Sequence, residues 1–390
     1  MKNGWQTKAL GDVCDFEGGS QPPKSEFIYE EKPGYVRFLQ IRDFGSDKNI
    51  TYIRHSNKNR LCNENDILIG RYGASVGKIL TEKAGAYNVA LMKTIPNLEV
   101  LDRSWFYNYL ISDEFQRPLQ NVADRSAQAG FSKDDINNFP VPVPPLREQQ
   151  RIVGILAEAF NGLATAKANA AKNLENARAL FESHLQAVFT TGGDGWRQKT
   201  LEEIATTFGR GKSRHRPRNE STLYGGIYPF IQTGDIRNSD HFIKAYSQTY
   251  SEAGLAQSKL WPKGTICITI AANIAETGIL GFDACFPDSV IGVVTNPKEA
   301  EVGFVEYLLQ SFKARIQAMG KGSAQANINM GTFEHKRFPF PPVAEQKQMV
   351  AKLDSLRKET QRLELIYQQK FAALDELKKS LLDKAFSGEL

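Results

Sequence analysis

Two stretches of this chain repeat apolar residues at helical spacing over a length that ordinary globular helices do not reach. The first runs from the prolines at 144–145 to about Phe189, and the second from the prolines at 341–342 to about Phe386. Proline is tolerated at a helix start because its missing N–H would have no helical partner there. Each stretch therefore predicts one helix of about 44 residues, roughly 66 Å long, which is a length typical of a coiled coil.

The spacing of the apolar residues predicts that these two helices pack against each other. In the second helix the alternating three- and four-residue positions are Leu353, Leu356, Thr360, Leu363, Tyr367, Lys370, Leu374, Leu377 and Leu381. The matching positions of the first helix are Leu156, Ala159, Leu163, Ala166, Ala170, Asn173, Ala177, Leu180 and His184. The alanines leave room for the bulkier side chains of the second helix, and a two-fold relation between the helices would make them antiparallel. A bundle of ordinary long helices is the alternative. Asn173, Lys370 and His184 either fix the register or face solvent.

The proline-to-helix pattern occurs twice because the chain is a tandem repeat. PPLREQQRIV at 144–153 matches PPVAEQKQMV at 341–350. Further matches in the same order are GWQTKALGDV with GWRQKTLEEI, FLQIRDF with FIQTGDI, DILIG with TICIT, SAQAGFS with SAQANIN, and HLQAVFTTGG with LLDKAFSGEL. Between the matches, 22–34 differs sharply from 211–226. We interpret the matched segments as scaffold and the unmatched ones as loops that are free to vary.

Each repeat begins with a globular part of mixed α/β character. Short runs rich in Val, Ile and Phe, bounded by Gly, Pro or Asn, predict strands at 35–41, 66–70, 88–95, 228–233, 265–270 and 289–295. Aromatic stretches predict helices at 103–117 and 302–318. The pattern does not distinguish parallel from antiparallel pairing. It divides the chain into 1–142, 143–190, 191–340 and 341–390, a globular part followed by a helix each time.

The bulk composition is that of a soluble globular protein with a mildly basic balance. The 390 residues are 41% hydrophobic and 24% charged, with a net charge of +5, which is compatible with a polyanionic partner but does not establish one. No signal-peptide core or 18-residue apolar run occurs. The four cysteines form no CxxC pair, which argues against a zinc ribbon or a disulfide framework. We therefore expect a cytoplasmic protein.

These features together resemble a known family. Two variable globular halves, each opening with Gly-Trp and closing with a proline stop, Glu-Gln and a long helix, resemble the specificity subunit of type I restriction–modification enzymes. The residues that carry the resemblance are PPLREQQRIV, PPVAEQKQMV, SAQA in both halves, and LLDKAFSGEL. The resemblance covers the whole chain.

The resemblance implies an α+β architecture and a non-catalytic function. It implies two mixed α/β target recognition domains in a tandem pseudo-two-fold repeat, joined by two long helices that form an antiparallel coiled coil. Each domain would read one half of a bipartite site in double-stranded DNA, and the helices would set the distance between the halves. Two methyltransferase subunits that use S-adenosylmethionine, and motor–nuclease subunits that use ATP and Mg, would do the chemistry. The chain itself would need no cofactor and no metal.

The sharpest basic cluster lies in the second half, in GRGKSRHRPR at 209–218. Its cations are Arg210, Lys212, Arg214, Arg216 and Arg218. Glycine and proline predict a loop there, and arginine and lysine neutralise phosphates, while arginine also pairs with guanine. A solvated loop is the alternative. Further along, Asn273 either reads an adenine edge or caps the next helix.

The first half has fewer cations at the matching place, where only Lys24 occurs. Other candidates are Arg42 in QIRDF, and Arg71, Tyr72 and Lys78 in GRYGASVGK. Glycines allow the backbone to approach a phosphate closely. A purely structural turn is the alternative.

The segments around the two SAQA copies supply a last group of candidates: Arg125, Gln128, Lys321, Gln325 and Asn327. Glutamine and asparagine suit adenine edges. The two copies are nearly identical, however, whereas residues that read different half-sites should differ. We therefore favour a shared structural or phosphate-positioning role. Trp5 and Trp196, which open the two repeats, are expected to be core anchors.

Catalytic motifs are not evident in the sequence. GASVGKI and GRGKSR both depart from the P-loop pattern, and the Asn-Pro-Pro-aromatic tetrapeptide of amino-methyltransferases does not occur. Two other classes stay open. One is a scaffold derived from such a subunit that no longer binds DNA, and the other is a nuclease or methyltransferase fused to a DNA reader.

Overall fold

The computed structural model describes residues 4–125, 130–193, 195–213, 220–271, 273–320, 328 and 330–390. The chain divides into two compact units. The first unit comprises Met1–Ala171 and Gln368–Leu390, and the second comprises Lys172–Tyr367. Each unit therefore contains one globular part and a segment of both long helices.

The first unit is built from short strands and short helices before the first long helix. Its strands are β1 (Gln6–Ala9), β2 (Cys14–Gly18), β3 (Tyr35–Leu39), β4 (Tyr52–Arg54), β5 (Leu61–Cys62), β6 (Leu68–Gly70), β7 (Ile79–Leu80), β8 (Gly85–Tyr87), β9 (Leu91–Pro96) and β10 (Pro140–Val143). Its helices are α1 (Leu10–Val13), α2 (Arg103–Ile111), α3 (Asp113–Ala123) and α4 (Lys133–Ile136), followed by the long helix α5 (Leu146–Thr191).

The second unit has a similar succession of strands and helices. Its strands are β11 (Arg197–Lys199), β12 (Ala205–Arg210), β13 (Tyr224–Phe230), β14 (Phe242–Ile243), β15 (Gln248–Tyr250), β16 (Ile266–Thr269), β17 (Thr277–Leu280), β18 (Val290–Thr295) and β19 (Phe338–Phe340). Its helices are α6 (Thr233–Arg237), α7 (Glu252–Ala256), α8 (Val302–Gly320) and α9 (Met330–Glu334), followed by the long helix α10 (Val343–Ser387).

The main sheets of the two units share one strand order. In the first unit β2-β9-β6-β7 is antiparallel throughout, and in the second β12-β18-β16-β17 follows the same order with β14 added in parallel. A second sheet holds β3, which pairs antiparallel with β4 and parallel with β8. Its counterpart β13 pairs antiparallel with β15 and forms a parallel bridge to Cys285. The tandem repeat of the sequence is thus a repeat of structure.

The proline-rich runs are strands that end the globular parts. Pro140–Val143 pairs antiparallel with β1, with Thr7 opposite Pro142, and Phe338–Phe340 pairs in the same way with β11. Proline lacks an N–H, so it is tolerated in such two-stranded edges. The strand brings the end of the globular part back to its beginning, and the long helix starts directly afterwards.

A buried glutamine fixes the start of each long helix. The Gln149 amide donates to the carbonyls of Val100 and Pro144, both at 2.8 Å, and accepts from the Asp102 N–H at 2.7 Å. Gln346 makes the matching bonds to the carbonyls of Glu299 and Pro341 and accepts from the Glu301 N–H. Both glutamines are fully buried. This is why Glu-Gln follows the prolines in both copies.

The two long helices pack antiparallel within each unit. In the first unit Lys167 pairs with Asp375, and the Lys378 ammonium lies 5.0 Å from the Phe160 ring centroid. In the second unit Arg178 pairs with Glu364 at 2.6 Å, and the Arg357 guanidinium lies 5.4 Å from the Phe181 ring centroid. Higher numbers on α5 meet lower numbers on α10 in both cases, which confirms the antiparallel expectation.

Each long helix ends inside a core. Phe386, near the end of α10, packs at 4.5 Å between ring centroids on Trp105 in the main core of the first unit. Phe189, near the end of α5, packs at 5.3 Å on Phe304 in the main core of the second unit. Trp5 contacts Trp105 edge-on at the border of the first core, and the Trp196 indole donates to Glu345 at 3.1 Å.

The strict heptad interpretation of the helices is wrong at several positions. Asn173, Leu180, His184, Lys370 and Leu377 are exposed, so the polar ones face solvent and do not fix the register. The seam instead includes Leu174 and Phe181 on α5 and Phe371 on α10, which are partly buried. A spacing of four followed by four residues at these points keeps a straight helix in contact where a 3.5-residue repeat would drift.

Most of the predicted short elements are present. The six predicted strand regions contain β3, β6, β9, part of β13, β16 and β18, and the helix at 302–318 is α8. The helix predicted at 103–117 is broken, because Ser112 adopts an extended conformation with φ −79° and ψ 161°. A new helix begins after it, with Asp113 and Glu114 in its first turn, where acidic residues are favourable.

Candidate nucleic-acid interface

Arg71 and Tyr72 lie where the chain leaves β6 in the first unit. The Arg71 guanidinium donates to the Phe131 carbonyl at 3.4 Å from two of its nitrogens and lies 5.0 Å from the Tyr72 ring centroid. Tyr72 forms a bridge with Gly130 and is 43% exposed. Arg71 therefore holds the segment that follows the first SAQA copy, and Tyr72 keeps an accessible aromatic face on which a base can stack.

The other first-half candidates are exposed cations on short elements. Lys24 begins the 3₁₀ turn Lys24–Glu26, Lys78 directly precedes β7, and Arg125 follows α3. Arg42 lies in the 3₁₀ helix Ile41–Phe44, with its side chain 54% exposed. Its guanidinium donates to the Thr51 hydroxyl at 3.5 Å. The structure brings Arg42 to Thr51 and Arg71 to Tyr72, and leaves the other three without a described side-chain partner.

The described part of the second-half cluster forms the rim of a small basic patch. Arg210 ends β12 and donates to the Asp288 carbonyl at 2.7 Å. Lys212 is exposed, and its carbonyl accepts from the Ser258 hydroxyl at 2.8 Å. Burial, and in second place the nearby Lys212, lowers the pKa of the neighbouring Lys259 ammonium. A phosphate at this patch would be attracted by both lysines. Arg214, Arg216 and Arg218 lie outside the described residues.

Asn273 belongs to a turn and not to a helix start. The chain continues from it into β17, so the helix-capping alternative is wrong. Its side-chain oxygen accepts from the Arg237 guanidinium at 3.3 Å. Arg237 ends α6 and is exposed. The pair Asn273–Arg237 thus joins two polar groups at one edge of the sheet, and Arg237 is a candidate that the sequence did not indicate.

The SAQA candidates Gln128, Lys321, Gln325 and Asn327 lie outside the described residues. The residues that follow the two copies are buried anchors, since Phe131 is 4% and Ile328 is 3% exposed. Ile328 donates its N–H to the carbonyl of Ile270, the residue that follows β16. In the first unit Arg71, which follows β6, donates its guanidinium to the carbonyl of Phe131. The two copies are therefore attached at matching places.

An open groove of about 510 Å³ lies in the second unit. Its lining includes Ser213, Tyr224, Gln232, Gln248 and Ser289. Ser213 directly follows Lys212, so the groove lies beside the described end of the basic segment. The two glutamines are hydrogen-bonded to each other at 2.7 Å, from Gln232 Nε2 to Gln248 Oε1. Amide groups of this kind pair with base edges, which makes the groove part of the candidate interface.

Comparison with known proteins now identifies the family. The type I restriction modification DNA specificity domain matches this chain twice, at residues 2–175 and 193–368. The chain belongs to the type I restriction–modification specificity family. Its two matches coincide with the two repeats of the sequence, so each repeat is one specificity domain.

Curated relatives and solved structures agree with this assignment. The specificity subunit of the type I restriction enzyme MjaVIII from Methanocaldococcus jannaschii is 24% identical over 397 residues, which covers 92% of this chain and 89% of that protein. The EcoKI specificity subunit from Escherichia coli is 25% identical over 206 residues, 50% of this chain and 44% of that protein.

Two solved structures share the fold. A chain from work on complex assembly and conformational transition of the type I R-M system superposes with a TM-score of 0.81 at 20% identity, over 100% of this chain and 99% of that one. The HsdS subunit from Thermoanaerobacter tengcongensis superposes with a TM-score of 0.62 at 20% identity, over 100% and 98% of the two chains. The mixed α/β domains and long packed helices are therefore those of this family.

The cysteines of this specificity chain are buried. Burial raises the pKa of the Cys14 thiol to about 12 and that of Cys62 to about 11, and it also raises the pKa values of Cys267 and Cys285. Protonated, buried thiols are poor nucleophiles. Among the described residues no cluster of three potential metal ligands occurs, and none of their helices is long and apolar enough to cross a membrane.

Besides Arg237 and Lys259, three further residues of the interface are not indicated by the sequence patterns. Tyr224 and Gln248 lie in unmatched segments, and their approach to Gln232 depends on the pairing of β13 with β15. Gln232 itself was visible in FIQTGDI, whose match with FLQIRDF marked it as scaffold. The signal that could have found it is its polar character at the end of a strand, followed three residues later by Asp235, a pattern typical of a helix start.

Proposed function

We propose that this chain is the DNA-recognition subunit of a type I restriction–modification complex and reads an asymmetric, bipartite site. Each specificity domain reads one half-site in double-stranded DNA, and the paired helices α5 and α10 set the separation. The observation that carries the proposal is the double match of the specificity domain, at 2–175 and 193–368, in one chain. Two recognition domains in tandem are expected to bind two half-sites.

Differences between the two domains support the asymmetry. The segments at 22–34 and 211–226 differ in length and charge, whereas the surrounding segments are matched. The polar and charged side chains at the surface differ as well. Arg42 and the Arg71–Tyr72 pair belong to the first domain, and Lys212 and the Asn273–Arg237 pair to the second. Domains with different polar surfaces read different base sequences.

Exposed cations support DNA as the partner. Lys24, Arg42, Lys78, Arg125 and Lys212 are all exposed in the described structure. Cations of this kind neutralise phosphates and release counterions from the duplex, which provides most of the non-specific affinity. Base-specific contacts then come from groups such as the Asn273 amide or the glutamines of the groove.

Catalysis is assigned to partner subunits. Two methyltransferase subunits with S-adenosylmethionine would methylate adenine at N6, and motor–nuclease subunits with ATP and Mg would translocate and cleave. The long helices and the matched scaffold segments offer each partner the same surface twice. The chain itself acts in the cytoplasm as a specificity factor and has no cofactor of its own.

A methylome tests this proposal. The chain is co-expressed with the methyltransferase encoded beside it, and the host DNA is sequenced by a method that detects N6-methyladenine. We expect a new asymmetric motif of two parts separated by an unspecified gap. Absence of methylation with a bound partner would favour a scaffold that no longer binds DNA. Methylation without any partner would mean that the chain is itself an enzyme.

A further inference from the structure

The same glutamine–aspartate pair follows β3 in the first unit and β13 in the second. In both, a glutamine side chain accepts from the backbone N–H of the aspartate three residues later, and that aspartate accepts from the backbone N–H of the glutamine. The pairs are Gln40 with Asp43, at 2.6 Å for the second bond, and Gln232 with Asp235, at 2.8 Å. The oxygen of each glutamine amide is thereby fixed, and its NH₂ group is left for another partner.

The residue on the strand next to this glutamine–aspartate pair differs between the two units. In the second unit Phe230 pairs with Gln248 across the strands, and Gln232 Nε2 donates to Gln248 Oε1. In the first unit Phe38, which matches Phe230, donates its N–H to the carbonyl of Thr51, so Thr51 stands where Gln248 does.

The side chain that contacts this residue on the neighbouring strand also differs. Arg42 occupies the place of Gly234 and donates to the Thr51 hydroxyl. Gln40 Nε2 finds no hydrogen-bond partner within the described part of the chain. The same glutamine–aspartate pair thus contacts Gln248 in the second domain, whereas in the first domain it lies beside Arg42, which bonds to the buried Thr51. Such a difference is expected of positions that read different half-sites.

Gln248 is placed where DNA can reach it. Its side chain is exposed and lines the groove beside Tyr224 and Ser213. Ser213 follows the exposed Lys212, and Lys259 lies close to that lysine. A duplex whose phosphates contact these lysines would bring base edges towards the groove, because phosphate contacts fix the register of a protein on DNA.

The hydrogen bond from Gln232 fixes the polarity of the Gln248 amide. Because Gln248 Oε1 must accept from Gln232 Nε2, the amide cannot turn over and exchange its oxygen with its nitrogen. Gln248 can then offer its NH₂ as donor and the second lone pair of Oε1 as acceptor. Adenine presents the complementary pair in the major groove, the N7 acceptor beside the N6 donor, whereas guanine presents two acceptors.

We propose that Gln248 reads an adenine in the half-site of the second domain and that Gln232 positions its amide. This inference rests on the proposed function. It assigns a base-reading role to residues outside the basic segment 209–218. It also predicts that the first domain reads a different base at the corresponding place through the exposed Arg42, which the buried Thr51 positions.

The test compares the methylomes of the complex with three variants. Gln248→Ala removes the reading amide, and Gln232→Glu keeps the oxygen that accepts from Asp235 but loses the donor to Gln248. The matched control is Gln198→Ala, since Gln198 is exposed in the same unit and is absent from the groove.

We expect Gln248→Ala to relax the specificity for adenine at one position of one half-site. The preference for adenine should fall by about 5- to 150-fold in competition binding to duplexes substituted at each position. Gln232→Glu should relax the same position, and Gln198→Ala should change nothing.

The outcomes separate this inference from the proposed function. A wild-type motif that Gln248→Ala leaves unchanged would overturn the inference and leave the specificity role intact. An equal loss of affinity for all bases would also overturn it, because it would indicate a phosphate contact or a structural role. A change confined to Gln248→Ala, with Gln232→Glu normal, would remove the positioning role of Gln232. Absence of any motif with the wild-type chain would contradict the proposed function itself.

Discussion

Single buried polar side chains determine where the long helices begin. Gln149 and Gln346 each satisfy three backbone groups, and every polar atom of their amides has a partner. Buried polar groups are costly when they lack hydrogen bonds. A fully hydrogen-bonded amide therefore favours one backbone geometry over alternatives in which it would lose its partners. The glutamine ties the first turn of the helix to the chain segment that precedes the main helix of the globular part. It acts as a structural clamp at the domain edge.

Replacing Gln149 with leucine is expected to destabilise the first unit. The Val100 and Pro144 carbonyls and the Asp102 N–H would stay buried without partners, at a cost of at least about 2 kcal/mol in the free energy of unfolding. The matched control is Gln150→Leu, because Gln150 is the next residue and is exposed; its effect should stay within about 0.5 kcal/mol. Urea unfolding of the full chain, followed by tryptophan fluorescence, measures both. Equal effects of the two substitutions would contradict the clamp.

The role of this glutamine also shows what a sequence can and cannot reveal. Pro-Pro followed by Glu-Gln was visible as a repeated boundary, because proline and helix periodicity act locally. Two of the three partners of Gln149, Asp102 and Val100, lie 47 and 49 residues earlier in the chain, and such distant contacts depend on tertiary packing. For the same reason Gln232 was recognisable as scaffold, whereas its bond to Gln248 follows from a strand pairing that no local pattern indicates.

At the scale of elements, the long helices depart from the heptad that their sequences suggest. The heptad places Asn173 and Lys370 in the seam, but both are exposed, and Leu174 and Phe371 are partly buried instead. A straight α-helix has 3.6 residues per turn, so a strict seven-residue repeat drifts by about 20° per heptad unless the helices supercoil. The shift of one residue restores the apolar face. Helix existence and direction were predictable, but this local change in periodicity was not.

Shortening both helices by one heptad is expected to shorten the gap of the DNA site. Deleting 163–169 and the facing 373–379 removes about 10.5 Å of helix, which corresponds to up to about three base pairs. The facing segments are identified by the Lys167–Asp375 pair. The methylome of the variant should show both half-sites unchanged with a shorter gap, because the recognition domains are untouched.

The control for this deletion keeps the helix lengths. Asn161→Ala with Glu376→Ala changes exposed residues of the same helices and should retain the wild-type gap. New bases in either half-site of the deletion variant would contradict the idea that the helices only set the distance. An unchanged gap would indicate that some other element sets it.

At the scale of the whole molecule, two features of the sequence point to a polyanion. The net charge is +5, and the most basic segment, 209–218, lies where the two repeats differ in sequence. Net charge alone says little about partners, but exposed cations such as Lys212 can neutralise phosphates. The described rim of this segment, Lys212 beside Lys259, already concentrates positive charge. Phosphate contacts of this kind leave a measurable signature, the dependence of affinity on salt.

Replacing Arg214 and Arg216 with alanine is expected to weaken binding to DNA that carries the full site. If both arginines contact phosphates, the slope of log K against log salt concentration should fall in magnitude by about 0.9 for each phosphate that the variant no longer neutralises. The control Lys263→Ala with Lys298→Ala removes the same charge from exposed lysines of the same unit and should change the slope less. Titrations by fluorescence anisotropy at several salt concentrations measure both variants. Unchanged affinity at moderate salt would remove the loop from the interface, whereas an unchanged slope with a relaxed base in one half-site would assign these arginines to base reading instead of phosphate binding.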